Sequence, residues 1–327
     1  MKTLRTLFIR IILLGGWLSM EGRRSLQGYL LIFMSGVFWG LGGYFVTQMS
    51  NLGVSSMITA FSGHFLSLIP LLFYLLIKKG ISGLKISQKG LLFSILLGAL
   101  TKGIFKLAND TAVTLVGVSA ASILMYLAPV FAAIMSMLFF KEKLRGYQHF
   151  AIVINLVGCI LMVTGGNFAE LNISALGLTL GVISGFLYAL NTIIGKVATS
   201  GDDPETMTFY MLLFSAITMG IFAKPWLHLD LFMDTKFLFW AFLNSMSTGL
   251  IANLLYLKGL SNGVDASKAT IIASGEVIIA ALSGVLLLRE NINFIGTFGI
   301  IIMLASIVLM NINIPIKHKE FTSKNAM

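Results

Sequence analysis

Residues 121–144 read ASILMYLAPVFAAIMSMLFFKEKL, a run of twenty residues without a charge that ends in Lys-Glu-Lys. An α-helix needs about 20 mostly apolar residues to cross the hydrocarbon core of a bilayer. Runs of this kind fill most of the chain, and the connections between them are short. The sequence therefore predicts an all-α integral membrane protein without a soluble domain. We place ten transmembrane helices at 28–48, 54–77, 90–112, 118–140, 148–166, 175–198, 206–223, 237–257, 266–288 and 293–314.

The same pattern returns in the second half of the chain, where residues 268–291 read KATIIASGEVIIAALSGVLLLREN. A gapless shift of residues 116–163 by 148 positions aligns about 13 identical residues out of 48. The phrase SGVFWGLGGYF at 35–45 also returns, as SGFLYALNTII at 184–194. Each copy holds five helices, and an odd number forces the second copy to enter the membrane inverted. Inverted repeats are typical of secondary transporters, which bind substrate near the midplane between the repeats.

The placement of charge decides between a nucleic-acid partner and a membrane. The chain is 57% hydrophobic and 11% charged, and its net charge is +10. A soluble domain has about 25% charged residues. Most of the lysines and arginines lie near the two termini or in alternate loops, and only Lys224, Lys236 and Arg289 fall on the other side of the membrane. This positive-inside bias predicts a cytoplasmic-membrane protein with both termini in the cytoplasm. No nucleic-acid partner is expected.

No cofactor, metal site or enzyme activity is expected. Cys159 is the only cysteine and lies inside a predicted helix, so neither a disulfide nor a thiolate metal site can form. The G-x-x-x-x-G-K-[ST] motif of ATPases is absent from the sequence. Acidic and histidine residues are isolated or lie in loops, whereas an enzyme site needs them clustered.

The chain ends are assigned as a cytoplasmic N-terminal segment at 1–27 and a cytoplasmic tail at 315–327. Residues 1–20 have a basic start and a short apolar run, but Arg10 interrupts the run and no A-x-A-like site follows. We therefore do not expect a cleaved signal peptide. Two alternatives remain for this segment: it forms a helix at the membrane interface, or the native protein starts at Met20.

The run at 121–144, with Pro129 followed thirteen residues later by Glu142, resembles the first EamA repeat of the drug/metabolite transporter superfamily. The resemblance covers about 28–314, with the first repeat at 28–166 and the second at 175–314. It implies ten helices, both termini inside, and export or import of small metabolites such as amino acids. The second repeat of that family usually carries Glu-Pro in mid-helix. Here Val277 follows Glu276, which puts in question a helix-9 kink matching the one expected at Pro129.

Glu276 is the first candidate for a functional charge. It lies near the middle of predicted helix 9, where an ionised residue facing lipid costs about 2.5–3.5 kcal/mol. The residues on its helix face are all small: Ala269, Ala273, Ala280 and Ser283. Small residues allow another helix or a cavity to come close. Two interpretations stay open: a carboxylate that binds a substrate amine or a proton, and a buried structural carboxyl.

A polar stripe on predicted helix 3 carries Lys102, Lys106 and Asp110, each four residues apart. This spacing predicts an ion pair between Lys106 and Asp110. Lys106 is a candidate either for binding a substrate carboxylate or for simple neutralisation by Asp110. Lys102 is expected to extend to the cytoplasmic end of its helix and to keep its ammonium in water.

Four aromatic residues complete the candidate pathway. Trp39 and Tyr188 occupy equivalent positions in the repeated phrase, where they could stack on a substrate ring, surround a cation or simply pack. Tyr44, the second-last residue of the same phrase, is a further candidate. Pro129 frees a backbone carbonyl near Tyr126, and such sites often line cavities.

The remaining polar candidates are Asn191, one turn from Tyr188, and His64 in predicted helix 2. Asn191 either binds ligand or holds two helices together. His64 either titrates near neutral pH or is a satisfied interior histidine. Glu142 and Glu290 end corresponding helices, and we interpret them as interfacial structural residues that stabilise a gate, not as ligands.

These observations favour a secondary transporter of small metabolites, foremost an exporter of amino acids or related amines by alternating access. Its expected partners are a small-molecule substrate and the lipid bilayer, with protons as a coupling ion through Glu276, and the protein is a monomer or a homodimer. The alternative is an organic-anion or sugar-phosphate exchanger, which would need several cations in the cavity. A membrane-embedded enzyme and a non-transporting subunit are the remaining classes.

Overall fold

The computed structural model describes residues 20–167, 174–289 and 293–311. Every regular element within these ranges is helical. Nine helices in the described residues are long and apolar enough to cross a membrane, and Phe294–Met310 forms a shorter apolar helix. The all-α membrane architecture is confirmed, with nine full-length spans in the described ranges where the sequence predicts ten.

The first half of the chain contains seven α-helices. They are α1 Met20–Gly40, α2 Gly42–Ser50, α3 Ser56–Lys79, α4 Gln88–Ile95, α5 Phe105–Met125, α6 Ala128–Phe140 and α7 Gly146–Thr164. A π-helical segment, Leu96–Ile104, joins α4 to α5 without a break. Because α1 starts at Met20, the first helix begins within the segment that the sequence assigns to the cytoplasm, and residues 1–19 lie outside the described residues.

The second half contains another seven α-helices. They are α8 Ala175–Ala198, α9 Pro204–Ala223, α10 Thr235–Asn244, α11 Ala252–Ser261, α12 Ala266–Ala273, α13 Gly275–Leu287 and α14 Phe294–Asn311. A second π-helical segment, Ser245–Ile251, joins α10 to α11. Each half thus carries one π-helical insertion. Such insertions widen a helical turn and occur frequently at functional sites.

The chain reverses its direction within the residue range of α5. A straight helix of 21 residues would be about 31 Å long. Yet Phe105, at its start, places its ring 5.9 Å from the ring of Tyr188, and the carbonyl of Met125, at its end, packs against Gly185, one turn away from Tyr188. The two membrane spans on either side of the reversal are Gln88–Val113 and Ala121–Phe140. They correspond to predicted helices 3 and 4.

Predicted helix 9 is broken between α12 and α13, although it lacks the proline that usually follows the glutamate. The sequence leaves a kink in helix 9 open because a valine replaces the usual proline. The helix is nevertheless interrupted at Ser274, whose hydroxyl donates to the carbonyl of Ile271 at 2.6 Å. This backbone bond from a serine side chain bends helices. Gly275 follows immediately and weakens the helix further.

The two halves interlock through small residues. Gly36 and Gly40 on α1 lie against the backbone of Ala273 and Glu276 at the α12–α13 break. In the same way, Gly185 on α8 lies against the backbone that joins α5 to α6. Since glycine has no side chain, these helices approach backbone to backbone. The first helix of each half therefore packs against the fourth span of the other half.

Ion pairs join one end of the bundle, which we call the lysine end and define by Lys78, Lys79, Lys196 and Lys258. Glu205, at the start of α9, lies 2.6 Å from Lys79 of α3 and 2.5 Å from Lys258 of α11. Glu142, just after α6, lies 2.6 Å from Lys196 of α8. The contacts with Lys79 and Lys196 tie helices of the first half to helices of the second half, whereas the contact with Lys258 joins two helices of the second half. The opposite end, where α2 ends and α3 begins, we call the open end.

Candidate functional site

A cavity of about 340 Å³ extends from the middle of the bundle toward the open end. Helices from both halves enclose it, including α1, α3, α5, α8 and α13, together with the two π-helical segments. Val46 and Ser56 line its outer part and are exposed, so the cavity reaches the surface there. The side chains that give the cavity its chemistry are Trp39, His64, Lys102, Lys106, Tyr188 and Glu276.

Glu276 projects into this cavity from the first turn of α13, directly after the break at Ser274. Its Oε1 accepts hydrogen bonds from the hydroxyls of Tyr126 at 3.0 Å and Tyr188 at 2.9 Å. These two tyrosines come from opposite halves of the chain. No lysine or arginine of the described part of the chain lies within ion-pair distance of Glu276. The carboxylate is thus oriented by neutral donors only.

Lys102 also faces the cavity, which corrects the expectation that it extends to the end of its helix. Its Nζ lies 4.7 Å from the centroid of the Trp39 ring, a cation–π geometry. Lys102 lies in the π-helical segment Leu96–Ile104, which brings its helix close to α9 through Gly98. The four-residue spacing between Lys102 and Lys106 could have predicted this placement, because residues four apart lie on the same helix face and can line the same cavity.

Lys106 forms the predicted ion pair, with its Nζ 2.5 Å from Oδ1 of Asp110. Both side chains are partly buried, with 31% and 18% of their surface exposed. Lys106 lines the cavity as well, but its charge already has a partner on its own helix. The two cavity lysines therefore differ in that Lys106 has an ion-pair partner and Lys102 has none among the described residues.

Trp39 is held by contacts on two sides. Its ring lies 5.1 Å from the ring of Tyr256, and its indole N–H donates to the backbone carbonyl of Thr248 at 3.2 Å. Thr248 belongs to the second π-helical segment. Trp39 therefore couples α1 to that segment and presents one ring face to Lys102.

His64 lines the cavity from α3, and its Nδ1 lies 2.7 Å from the hydroxyl of Ser215 on α9. The ring is therefore oriented by a neighbouring helix. In the same region, Asn253 donates to the carbonyls of Thr248 at 2.9 Å and Gly249 at 2.8 Å. Asn253 thus satisfies carbonyls of the π-helical segment while it lines the cavity.

Three of the predicted site residues lie outside the cavity wall. Tyr126 lies behind Glu276 and reaches it only through the hydrogen bond. The amide oxygen of Asn191 accepts from the hydroxyl of Thr101 at 3.0 Å, so it bridges α8 and the first π-helical segment. Tyr44 packs against the rings of Phe45 and Trp240 instead. Glu290 lies outside the described residues.

Within the described ranges, no three His, Cys, Asp or Glu side chains gather in a geometry that could hold a metal ion. The cavity instead combines two lysines, one isolated carboxylate, hydroxyls and aromatic rings. Such a set can bind a small molecule that carries charges of both signs.

The comparison with protein families agrees with this architecture. The model of the EamA-like transporter family matches the chain twice, over residues 26–164 and 175–312. The chain belongs to the EamA-like transporter family. The protein is accordingly a membrane transporter.

Several individual proteins are similar to this chain. An uncharacterized inner membrane transporter, YicL of Salmonella typhimurium, is 26% identical over 303 residues, which is 88% of this chain and 96% of the relative. An uncharacterized transporter of Archaeoglobus fulgidus is 28% identical over 193 residues, covering 59% of this chain and 66% of the relative. A solved crystal structure shares the fold, with a TM-score of 0.68, 13% identity and coverage of 87% of this chain and 96% of that one.

Proposed function

We propose that this EamA-family protein is a secondary transporter that exports small metabolites with a cationic amine, foremost amino acids, by alternating access. The observation that carries the proposal is Glu276. Its carboxylate faces a cavity between the two halves, and hydroxyls from both halves orient it. An ionised carboxylate in this position needs a cation, and a substrate ammonium would supply one.

The proposed mechanism needs two inverted repeats of five helices. Two family matches of similar length, each covering half of the chain, support this arrangement. The reciprocal packing of α1 on α12–α13 and of α8 on α5–α6 supports it too. Rocking of one repeat against the other would close one end of the cavity and open the other.

The described conformation is proposed to be the outward-facing one. If both termini are cytoplasmic, as the positive-inside bias predicts, the lysine end lies in the cytoplasm and the open end lies outside. The ion pairs at the lysine end would then close the cytoplasmic side. Opening that side would require Glu142 and Glu205 to leave partners in the other half. Export follows if the carrier runs downhill, because such metabolites are concentrated in the cytoplasm.

The decisive variant is Glu276→Gln, which keeps the size of the side chain and its hydrogen bonds but removes the charge. In proteoliposomes with this variant, we expect the rate of amino-acid counterflow to fall at least about 100-fold, because the substrate ammonium loses its counter-ion. Asp230→Asn, in the exposed loop between α9 and α10, is the matched control and should transport normally. Unchanged transport and unchanged pH dependence in Glu276→Gln would remove this carboxylate from the mechanism.

A second candidate, exchange of organic anions or sugar phosphates, is favoured by one observation, the second lysine in the cavity. The charges argue against it, because the two lysines share this region with two carboxylates, Asp110 and Glu276, so that the region carries no net positive charge. A phosphate dianion would need a net positive site. Thermal stabilisation by sugar phosphates, with none by amino acids or amines, would favour this candidate over the first.

A further inference from the structure

The two lysines of the cavity are not equivalent. Lys106 pairs with Asp110 at 2.5 Å, whereas Lys102 forms no ion pair with any acidic residue of the described ranges. The contact that orients Lys102 is the Trp39 ring, 4.7 Å away. A ring face attracts an ammonium but carries no net charge, so the ammonium of Lys102 has no anion in direct contact. Lys102 can therefore still attract an anion.

Lys102 and Glu276 line the same cavity, and each lacks an ion-pair partner of its own. Both are fixed by aromatic side chains, Lys102 by Trp39 and Glu276 by Tyr126 and Tyr188. Fixed groups of opposite sign that face one cavity select a ligand by the arrangement of its charges, because a ligand with one charge leaves the other group unpaired. A zwitterion satisfies both groups.

We propose that Lys102 binds the carboxylate of the transported metabolite, so that Lys102 and Glu276 together select α-amino acids over amines and carboxylic acids. This assignment rests on the proposed function, in which Glu276 binds the ammonium group. The cavity wall also includes the apolar side chains of Phe105 and Met125, with Val46 in its outer part. Such a wall fits an amino acid with an apolar side chain, and the volume of about 340 Å³ lies in the range of small-molecule sites.

The test pairs one change in the protein with one change in the ligand. The ligands are leucine, leucinamide without the carboxylate, 3-methylbutylamine without any carbonyl group, and 4-methylpentanoate without the amine. Binding to purified protein is measured by calorimetry and by thermal stabilisation. The wild-type protein should bind leucine at least 10-fold more tightly than leucinamide, because a charge-assisted hydrogen bond to Lys102 forms only with the carboxylate.

Lys102→Gln should weaken leucine binding about 10- to 100-fold and change leucinamide binding less than about 3-fold. Lys102→Arg should restore most of the preference for leucine, because it restores the charge. Lys268→Gln, which removes a lysine that pairs with Asp265 outside the cavity, should leave the preference unchanged. If Lys102→Gln does not fold, Lys102→Met replaces it, because methionine keeps the apolar stem of the side chain.

Three outcomes would overturn the assignment. The first is that Lys102→Gln still prefers leucine over leucinamide. The second is that Lys102→Gln weakens the binding of both ligands equally. The third is that Lys106→Gln, and not Lys102→Gln, abolishes the preference. The proposed function survives these outcomes if Glu276→Gln still weakens leucine and leucinamide alike. If wild-type protein binds none of the amine-bearing ligands, the proposed function fails, and the assignment of Lys102 fails with it.

Discussion

Two carboxylates of this protein, Glu205 and Glu276, have opposite surroundings. Glu205, at the lysine end, is 4% exposed and lies within 3.3 Å of Lys78, 2.6 Å of Lys79 and 2.5 Å of Lys258. Glu276, in the middle of the bundle, has only hydroxyl donors. A carboxylate saturated by lysines from neighbouring helices holds those helices together. A carboxylate oriented by neutral groups has no ion-pair partner that joins it to another helix.

Glu142 resembles Glu205 in this comparison. It lies 2.6 Å from Lys196, and it accepts hydrogen bonds from the backbone N–H of Ala266 at 3.0 Å and the hydroxyl of Ser267 at 2.9 Å. It therefore caps the N-terminus of α12 from the other half of the chain. These contacts agree with the sequence-based interpretation of Glu142 as a structural residue.

The largest effect on stability is expected from Glu205→Gln. Removing this charge deprives Lys78, Lys79 and Lys258 of their shared partner. Each hydrogen bond to a charged group contributes about 1.5–3 kcal/mol, and less where the lysine is exposed to water. Thermal unfolding in detergent should show a clear fall in Tm, while Glu276→Gln shifts the Tm much less. If the two variants lose equal stability, the distinction between a structural and a functional carboxylate is wrong.

A smaller effect, with a pH signature, is expected from Glu142→Gln. Burial by itself raises the pKa of Glu142, but the Lys196 ammonium and the hydrogen bonds from Ala266 and Ser267 outweigh it and hold the pKa below its usual value. At neutral pH the variant should lose about 1–3 kcal/mol, as expected for hydrogen bonds to a charged group.

The sign of the pH dependence follows from the lowered pKa of Glu142. Its stabilisation is complete above the pKa of an unfolded glutamate, about 4.3, and is lost as the pH falls through the lower pKa of the folded state. The Tm difference between wild type and Glu142→Gln should therefore stay constant from pH 7 to about pH 5 and shrink below that. A difference that grows on acidification would contradict this account.

The smallest effect is expected at the tyrosines that orient Glu276. Tyr126→Phe and Tyr188→Phe each remove one hydrogen bond from an uncharged hydroxyl to Glu276, with a net contribution of about 1 kcal/mol. Leucine affinity should fall about 2- to 10-fold in each variant and further in the double variant, with both rings still in place. Titration calorimetry measures this, and Tyr44→Phe, outside the cavity, serves as the control. Tighter binding in either variant would show that the hydroxyls compete with the substrate for Glu276.

Much of the architecture could be predicted because apolar length decides which segments span a membrane. The predicted helix at 175–198 has the same bounds as α8, and most other spans agree within a few residues. The pairing of Lys106 with Asp110 was equally accessible, since four-residue spacing places both on one helix face. The reversal inside α5 lies between predicted helices 3 and 4 and was therefore predicted as well. The break at Ser274 was left open, because Val277 replaces the proline that would have signalled it.

The features of the candidate site also fall into those that the sequence predicts and those that depend on tertiary contacts. The sequence determined by itself that the chain is a helical membrane protein with a duplicated pattern and that Glu276 is too costly to face lipid, because transfer of charge and apolar surface into hydrocarbon depends on composition. Only the tertiary structure decided that Lys102 lines the cavity and Tyr44 does not, and that Glu276 has hydroxyl partners where Glu205 has lysines. Which side chains meet depends on how helices distant in the chain pack together, and periodicity within one helix carries no information about its neighbours.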